Sequence, residues 1–573
     1  MKVTDYIAAF LERQGVTCAF ELSGGMIAHL LDSLGTAKKI QVVSMHHEQG
    51  AAFAAEAYGR MTGIPGIALA TSGPGAINLL TGVGSCYFDS SPAVFITGQV
   101  NRHEQKGDRP IRQLGFQETD IVGMVGPITK AAWKIQTPEE IPGMFEKAFN
   151  TATTGRPGPV LLDVPMDIQR AEITPPADQA NLSSAAAVPA EAFWSRLGEK
   201  MRQAQRPLIL VGGGIRSGQA TELLREFAVR SGIPVVHSLM GVDVLPYAHP
   251  LRVGMIGSYG NRWGNWAIGT ADFLLVLGSR LDVRQTGSET ASFKGDRTIF
   301  HVDCDAGEIN NRITGCESAV CQLRDFLSVG LKKLESFKLV ECTDWVAQIA
   351  AKRKEWPDEH ESTGFTGLNP NEFMHALSRN SAPACAYVVD VGQHQMWAAQ
   401  SLELTATQRF LTSGGMGSMG FALPAAIGAA FACPKQPVVV IAGDGAFQCN
   451  IQELQTVKRN QLPLKIVVIN NHCHGMVRQF QESYFDSRFQ STLWGYSAPD
   501  FVKVAEAYGI AGRRVANSAE LAEALRWLWA DPLAPMVLEV DIASTANVYP
   551  KMAFGRPITE MEPSFKPKEM EGT

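Results

Sequence analysis

The chain of 573 residues reads as an α/β protein built from three doubly wound parallel-sheet domains. Three observations predict this. Apolar runs at 437–442 and 464–469 flank a segment, 450–460, in which Ile451, Leu454 and Val457 recur at helical spacing, which gives the strand, helix, strand unit of a parallel sheet. Residues 1 to about 170 alternate helical and short apolar segments and close on the strand-like run Val160-Leu161-Leu162-Asp163-Val164. Between these regions lie further strand-like runs at 207–211, 273–277 and 298–302.

Taken in chain order, residues 1–11 predict an amphipathic helix, since charges interrupt the segment and it lacks the long apolar core of a signal peptide. The first domain, 1–172, reaches its last strand through Gly155-Arg156-Pro157-Gly158-Pro159. A Pro-, Ala- and Ser-rich stretch, 175–189, has no hydrophobic period and predicts a linker. A central domain follows over 190–340, then a polar, charged interval at 344–367, then a third domain over 368–545. The closing segment, 546–573, ends rich in Pro, Glu and Lys and predicts a mobile tail over a site or plain disorder.

Composition narrows the function classes. With 45% hydrophobic and 19% charged residues the chain is of ordinary globular type, and a formal net charge of −6 argues against nucleic acid or an anionic membrane as the main partner. A small molecule is the expected ligand. Ten cysteines are scattered without a CxxC pair or disulfide-like spacing, as in a reduced compartment, and no apolar run approaches membrane-spanning length. Together these predict a cytoplasmic protein.

The densest chemistry lies in the third domain. Gly443-Asp444-Gly445 ends one apolar run, Asn470-Asn471 ends the next, and Gly475-Met476-Val477 follows, so oxygen-bearing side chains sit where parallel strands present their carboxyl ends. The Asp444 carboxylate and the Asn471 amide oxygen are hard ligands of the kind Mg2+ takes beside a phosphate, and Gly443 and Gly445 would let backbone approach phosphate oxygens. Taken singly, each piece is an ordinary turn or loop. The joint pattern resembles the diphosphate and metal-binding motif of thiamin diphosphate enzymes.

Further motifs narrow the resemblance. The first domain carries Ser44-Met45-His46-His47-Glu48-Gln49-Gly50, Thr71-Ser72-Gly73-Pro74-Gly75-Ala76-Ile77-Asn78 and Phe116-Gln117-Glu118-Thr119-Asp120. The third carries Val391-Gly392-Gln393-His394-Gln395-Met396-Trp397 and Ser413-Gly414-Gly415-Met416-Gly417-Ser418-Met419-Gly420. Over nearly its whole length the chain resembles the acetolactate synthase (acetohydroxyacid synthase) family, within the pyruvate oxidase and decarboxylase type of architecture. The resemblance implies a homodimer or homotetramer in which the aminopyrimidine rests on one subunit's first domain and the diphosphate on the partner's third. It implies Mg2+ held by Asp444, Asn471 and the carbonyl of Cys473. The cofactor would be lined by Pro74, Asn78, Gly392, Gln393, His394 and Gly417, and by Gly445, Ala446, Gly475 and Met476, with Met419 as an apolar wedge beneath its bend. A core methionine is the other reading of Met419.

Glu48 is the expected catalytic acid. A carboxyl group in an apolar pocket tends to stay protonated and so can share a proton with a ring nitrogen of the aminopyrimidine. An exposed helix glutamate is the plain alternative, and His46 and His47 read as structural. By family position the Gly24-Gly25 backbone would donate N–H groups to a developing oxyanion and Gln117 would orient the acceptor; otherwise they are a strand-to-helix turn and a loop amide.

In the central domain Gly212-Gly213-Gly214 follows a strand, a weak signal for nucleotide phosphate by itself. Ser238-Leu239-Met240 and Gly278-Ser279-Arg280-Leu281-Asp282-Val283-Arg284 resemble FAD-binding segments of acetohydroxyacid synthases, and with Arg156 and Asp303 they imply a bound FAD of structural role. Leu22, Phe116, Tyr259 and Phe480 are the expected acceptor walls; of these Leu22, Tyr259 and Phe480 depart from the family pattern, and Val283 stands where the family has an Asp. The segments Phe20 to Ile27 and Ser44 to Glu48 are similar to acetolactate-synthase-like enzymes of the yersiniose-precursor type that act on nucleotide-linked keto-deoxysugars. The expected activity is therefore a carboligase that decarboxylates pyruvate and transfers the two-carbon unit to an acceptor carbonyl, here a keto-sugar nucleotide. Condensation of two 2-keto acids and a non-ligating cofactor-binding scaffold are the alternatives.

Overall fold

The computed structural model describes residues 1–175 and 188–568, so most of the linker expected at 175–189 lies outside the described residues. Three six-stranded sheets, all of whose pairings are parallel, make up the molecule. The first runs edge to edge as Gln41–Ser44, Cys18–Leu22, Gly66–Ala70, Ala93–Gln99, Pro159–Pro165, Ala131–Lys134. The third runs Arg409–Leu411, Ala386–Val389, Val438–Gly443, Leu464–Asn470, Met536–Asp541, Ala511–Val515. Numbered by chain order within each sheet, both are 2-1-3-4-6-5. The central sheet, Glu317–Val320, Thr298–Asp303, Phe273–Leu277, Pro207–Val211, Val235–His237, Arg252–Met255, has the 3-2-1-4-5-6 order of a dinucleotide-binding sheet read from its other edge.

These orders matter because a doubly wound sheet opens a crevice where its order reverses, outside the carboxyl ends of the strands. In the first sheet the reversal falls between Cys18–Leu22 and Gly66–Ala70, in the third between Ala386–Val389 and Val438–Gly443, and in the central sheet between Pro207–Val211 and Phe273–Leu277. The β-branched and aliphatic runs form these strands because helices cover both faces: Val438–Gly443 and Leu464–Asn470 are buried throughout.

The first and third domains share one core. Helix Glu48–Thr62 lies along helix Ala422–Ala432, with the Phe53 and Phe421 rings 5.4 Å apart. A side chain at Gly428 would come within 2.0 Å of the Ala54 carbonyl oxygen, so glycine there permits the close approach. The N-terminal helix spans Val3–Arg13 and buries Val3, Tyr6, Ile7, Phe10 and Leu11. The interval at 344–367 is not simply polar chain, since it holds helix Thr343–Glu355, which buries Trp345 and Ile349 against the central domain. Segment 450–460 divides into a 3-10 turn, Ile451–Glu453, and helix Leu454–Arg459.

Through Lys568 the closing segment is packed rather than free, which corrects the expected mobile tail. Strands Lys551–Met552 and Met561–Glu562 pair antiparallel, Met552 N–H donates to the Ser258 carbonyl at 2.8 Å, and Met561 and Ile558 are buried. Apolar contacts and backbone pairing outweigh the polar composition that suggested disorder. Among the described residues no helix is long and apolar enough to cross a membrane.

Candidate active site

The residues singled out in the sequence gather at the three crevices. In the first domain strand Cys18–Leu22 ends beside Gly24, whose missing side chain would meet Thr71 at 2.4 Å, and Met26 N–H donates to Thr71 Oγ1 at 3.2 Å. Gly25 starts a 3-10 turn with open space where a Cβ would stand. Glu48 begins helix Glu48–Thr62, whose first turn is capped by His47 Nδ1 accepting from Gln49 N–H at 3.0 Å. His46 is likewise tied down, with Nδ1 3.0 Å from Thr456 Oγ1, so both histidines serve the fold.

Glu48 is 6% exposed, yet its pocket is not purely apolar: Asn78 Nδ2 donates to Glu48 Oε2 at 2.9 Å. The other oxygen, Oε1, lies against Gly75, where a Cβ would come within 2.9 Å of it. Pro74 opens the short helix Pro74–Asn78 that carries Asn78, and Gln117 sits over Gly73 with a φ of +64°. Leu22, Gly25, Glu48, Asn78 and Gln117 thus share one end of the first sheet.

The third domain supplies a second group. Gln393 Nε2 donates to the Ala546 carbonyl at 3.1 Å and to Gln479 Oε1 at 3.2 Å, so Gln393 turns its oxygen to Asn471, whose amide nitrogen donates to it at 2.8 Å. The Asn471 oxygen then faces the Cys473 carbonyl oxygen at 2.8 Å and Asp444 Oδ1 at 3.2 Å. Its one donor is Cys473 N–H, at a long 3.4 Å. Reversing the Asn471 amide would set two oxygens face to face at Gln393, which its bond to the Ala546 carbonyl forbids. Three oxygens held together without a proton between them fit a hard cation. Burial pushes the Asp444 carboxyl up to about 6, against a hydrogen bond from Tyr496 Oη at 2.9 Å, and a neighbouring cation would offset that desolvation.

Glycine at this end answers to side chains as well as to any phosphate. A Cβ at Gly443 would meet the His394 ring at 2.8 Å, and one at Gly475 would meet Gln393 Oε1 at 1.9 Å. His394 is fully desolvated, which lowers its pKa to about 3, and its Nε2 accepts from Gly443 N–H at 3.2 Å as a neutral imidazole must. Gly392, Ala446 and Met476 flank these groups on the same loops. The loop 413–420 is pinned at both ends by carboxylates: Asp89 accepts from Gly414 and Gly415 N–H, and Asp390 from Gly420 and Ala422 N–H. Gly417 within it has a φ of +72°, and Met419 is 37% exposed and so not a core residue.

Each residue linked to FAD lines one cleft of about 1040 Å³ at the central crevice: Arg156, Gly212, Gly213, Gly214, Ser238, Leu239, Met240, Gly278, Arg280, Arg284 and Asp303. Gly212 and Gly214 abut the Gly278 backbone, too close for any side chain. Arg156 is engaged by Glu308 at 2.5 Å and Asp305 at 3.3 Å. Tyr259, expected at the acceptor wall, opens onto this same cleft, as do Phe88 and Asp89.

The remaining acceptor-wall residues do not meet within one chain. Phe116 is 78% exposed, and Phe480 stacks on Tyr484 with ring centroids 4.7 Å apart. Nor does any hydrogen bond among the described residues join Glu48 to the Asp444 group. Exposed apolar side chains stand in the same segments, Ile77 and Phe116 in the first domain and Val477 and Phe480 in the third.

Comparison with known proteins agrees with this geometry. Residues 1–124, 195–329 and 390–540 match, in turn, the N-terminal TPP binding, central and C-terminal TPP binding domains of the thiamine pyrophosphate enzymes. The chain is similar to the acetolactate synthase isozyme 2 large subunit of Escherichia coli, 37% identical over 98% of this chain and 99% of that one. It is 35% identical to the acetolactate synthase large subunit of Lactococcus lactis, over 96% of this chain and 94% of that one. With acetolactate synthase 2, chloroplastic, of Nicotiana tabacum it shares 36% identity over 97% of this chain and 84% of that one.

Proposed function

The chain belongs to the thiamine pyrophosphate enzymes as an acetolactate synthase-like member, and from that premise we propose that it decarboxylates pyruvate and joins the two-carbon unit to a second 2-keto acid. The observation that carries this reading is the oxygen triad of Asp444, Asn471 and Cys473, arranged for a cation beside a crevice lined by His394, Gly445 and Gly475. Asp444, Asn471 and the Cys473 carbonyl would hold Mg2+. Gly392, Gln393, His394, Gly417, Met419, Ala446 and Met476 would line the cofactor together with Pro74, Asn78 and Glu48. Bound thiamine pyrophosphate supplies the electron sink for breaking and making bonds next to a carbonyl.

The chain's own part is to orient, shield and move protons. With Glu48 Oε2 engaged by Asn78, Oε1 is the atom free to hold or return a proton to a bound heterocycle. The Gly25 N–H and the Gln117 amide would receive the substrate carbonyl oxygen. The cleft of the central domain, with its glycine backbone, arginines and dinucleotide-type strand order, fits FAD as a structural group. In this reading the site would be shared between the subunits of a homodimer, with Glu48 meeting the partner's cation triad and Leu22, Phe116, Tyr259 and Phe480 forming the acceptor wall there.

The altered wall favours a second reading, in which the acceptor is the keto group of a nucleotide-linked deoxysugar; the relatives named above are acetolactate synthases and lend it no support. One experiment tests both. Protein supplied with pyruvate, Mg2+, thiamine pyrophosphate and FAD is assayed for CO2 and for product mass, with a second 2-keto acid or a keto-sugar nucleotide as acceptor. Acetolactate supports the first reading, a sugar adduct the second, and no CO2 contradicts both in favour of a cofactor-binding scaffold.

A further inference from the structure

Arg252 opens strand Arg252–Met255 and is only 5% exposed, yet among the described residues its guanidinium has no hydrogen-bonding or ion-pair partner. Its nearest company is the Tyr247 ring, 5.2 Å from the guanidinium carbon. Arg353, from helix Thr343–Glu355, brings a second guanidinium to the same ring at 4.6 Å and likewise forms no ion pair. Burial and the repulsion of Arg353 disfavour the charge on Arg252 and outweigh the support of Tyr247 and Asp358, lowering its pKa to about 10. A desolvated cation beside a second cation is an arrangement that needs an anion.

The neighbouring acids meet that need only from a distance, since among the described residues none forms an ion pair with Arg252. Glu403 is engaged by His375 at 2.9 Å and Arg379 at 2.6 Å, and Asp358 takes hydrogen bonds from His375 and Ser401. A pocket of about 830 Å³ is lined by both arginines and Tyr247, by apolar Pro234, Pro250, Val253, Val346 and Ile349, and by His249 and Glu403, the last already engaged by His375 and Arg379. It is distinct from the clefts described above.

We propose that this pocket binds a small oxyanion, a carboxylate or phosphate carried on an aliphatic body, clasped by Arg252 and Arg353 and seated against Tyr247. Guanidinium planes match the paired oxygens of such groups, the apolar part of the lining accepts a short hydrocarbon, and the Glu403 carboxylate on the wall disfavours a second negative charge. The strand that starts at Arg252 ends at Met255, which lines the central cleft, so an occupant would brace an element shared with that cleft.

The test uses the holoenzyme and two probes, inorganic phosphate and isobutyrate, with chloride at equal ionic strength as control, read by calorimetric titration and by thermal midpoint. Saturable binding with a midpoint rise of several degrees is expected for at least one probe, and which of them binds decides between phosphate and carboxylate. Arg252→Met abolishes the binding while pyruvate turnover without added phosphate or isobutyrate is retained. Arg252→Lys, which keeps the charge but not the fork, weakens it by at least tenfold, and it serves if the Met variant fails to fold. No saturable binding by either probe up to about 10 mM, or equal binding by wild type and Arg252→Lys, overturns the proposal.

Discussion

The Asn471 side-chain N–H donates to Gln393 Oε1 at 2.8 Å, and this bond turns the Asn471 oxygen toward Asp444 and the Cys473 carbonyl. Gln393 is fixed in turn by the Ala546 carbonyl and by Gln479, which accepts from Val548 N–H at 3.0 Å and donates to the Val548 carbonyl at 3.1 Å. A relay of amides thus ties the start of the closing segment to the candidate cation site.

Cutting the relay should loosen the cation without touching its ligands. Gln479→Leu removes one of the two acceptors that orient Gln393, and the concentration of Mg2+ for half-saturation should rise about tenfold or more, in line with other outer-shell partners of metal ligands. Thiamine pyrophosphate-dependent quenching of tryptophan fluorescence, titrated with Mg2+, reads this directly. An unchanged titration would mean that Asn471 holds its orientation unaided.

Glu48→Gln preserves size and the contact to Asn78 but cannot exchange a proton at Oε1. Turnover of pyruvate should fall about 10²-fold or more, with thiamine pyrophosphate affinity and the thermal midpoint retained. Near-normal turnover in this variant would remove Glu48 from the chemistry.

The three-sheet organisation was legible because buried parallel strands leave unmistakable apolar runs, and the candidate cation site drew notice because Asp444 and Asn471 stand at the ends of two of them. Tyr496 was missed. It lies in a loop without period, and only the folded chain brings its hydroxyl to Asp444. Asp390 carried a faint signal, an acid directly after the run Ala386–Val389, whereas Asp89 contacts Gly414 and Gly415 from another domain and carried none. The closing segment misled in the opposite sense: its composition is that of disorder, but Ile558 and Met561 anchor it.

Asp243 is buried between Arg216 at 3.1 Å and Arg409 at 3.0 Å, joining the central domain to the third. Asp243→Asn leaves two arginines facing each other, and the loss should be about 3 kcal/mol or more. Calorimetry would register a midpoint several degrees lower. A shift of under a degree would mean that the arginines find other partners.

His375 donates toward Asp358 at 3.1 Å and lies 2.9 Å from Glu403, with Glu359, Arg379 and the Tyr247 ring nearby. Burial lowers its pKa, but the carboxylates prevail and raise it above the ordinary value. A raised folded-state pKa contributes stability that is complete below about 6.5 and is lost as pH climbs through the folded value. Asp358 is depressed, its partners outweighing burial, so its contribution is present above about 3.9 and fades below. The midpoint difference between wild type and His375→Gln should therefore shrink as pH rises from about 6 to 9. A difference constant over that range would refute the ion-pair account.

The central claim is that a proton-handling carboxyl from one subunit serves a cation site on another. Glu48→Gln and Asp444→Ala, each nearly inactive alone, are mixed from denaturant or co-expressed so that subunits reassort. With shared sites, random reassortment leaves half of the dimers mixed and one of their two sites intact, so about a quarter of wild-type pyruvate turnover returns. If the mixture stays as inactive as its components while mass measurement shows mixed dimers formed, the sites are not shared and the account fails.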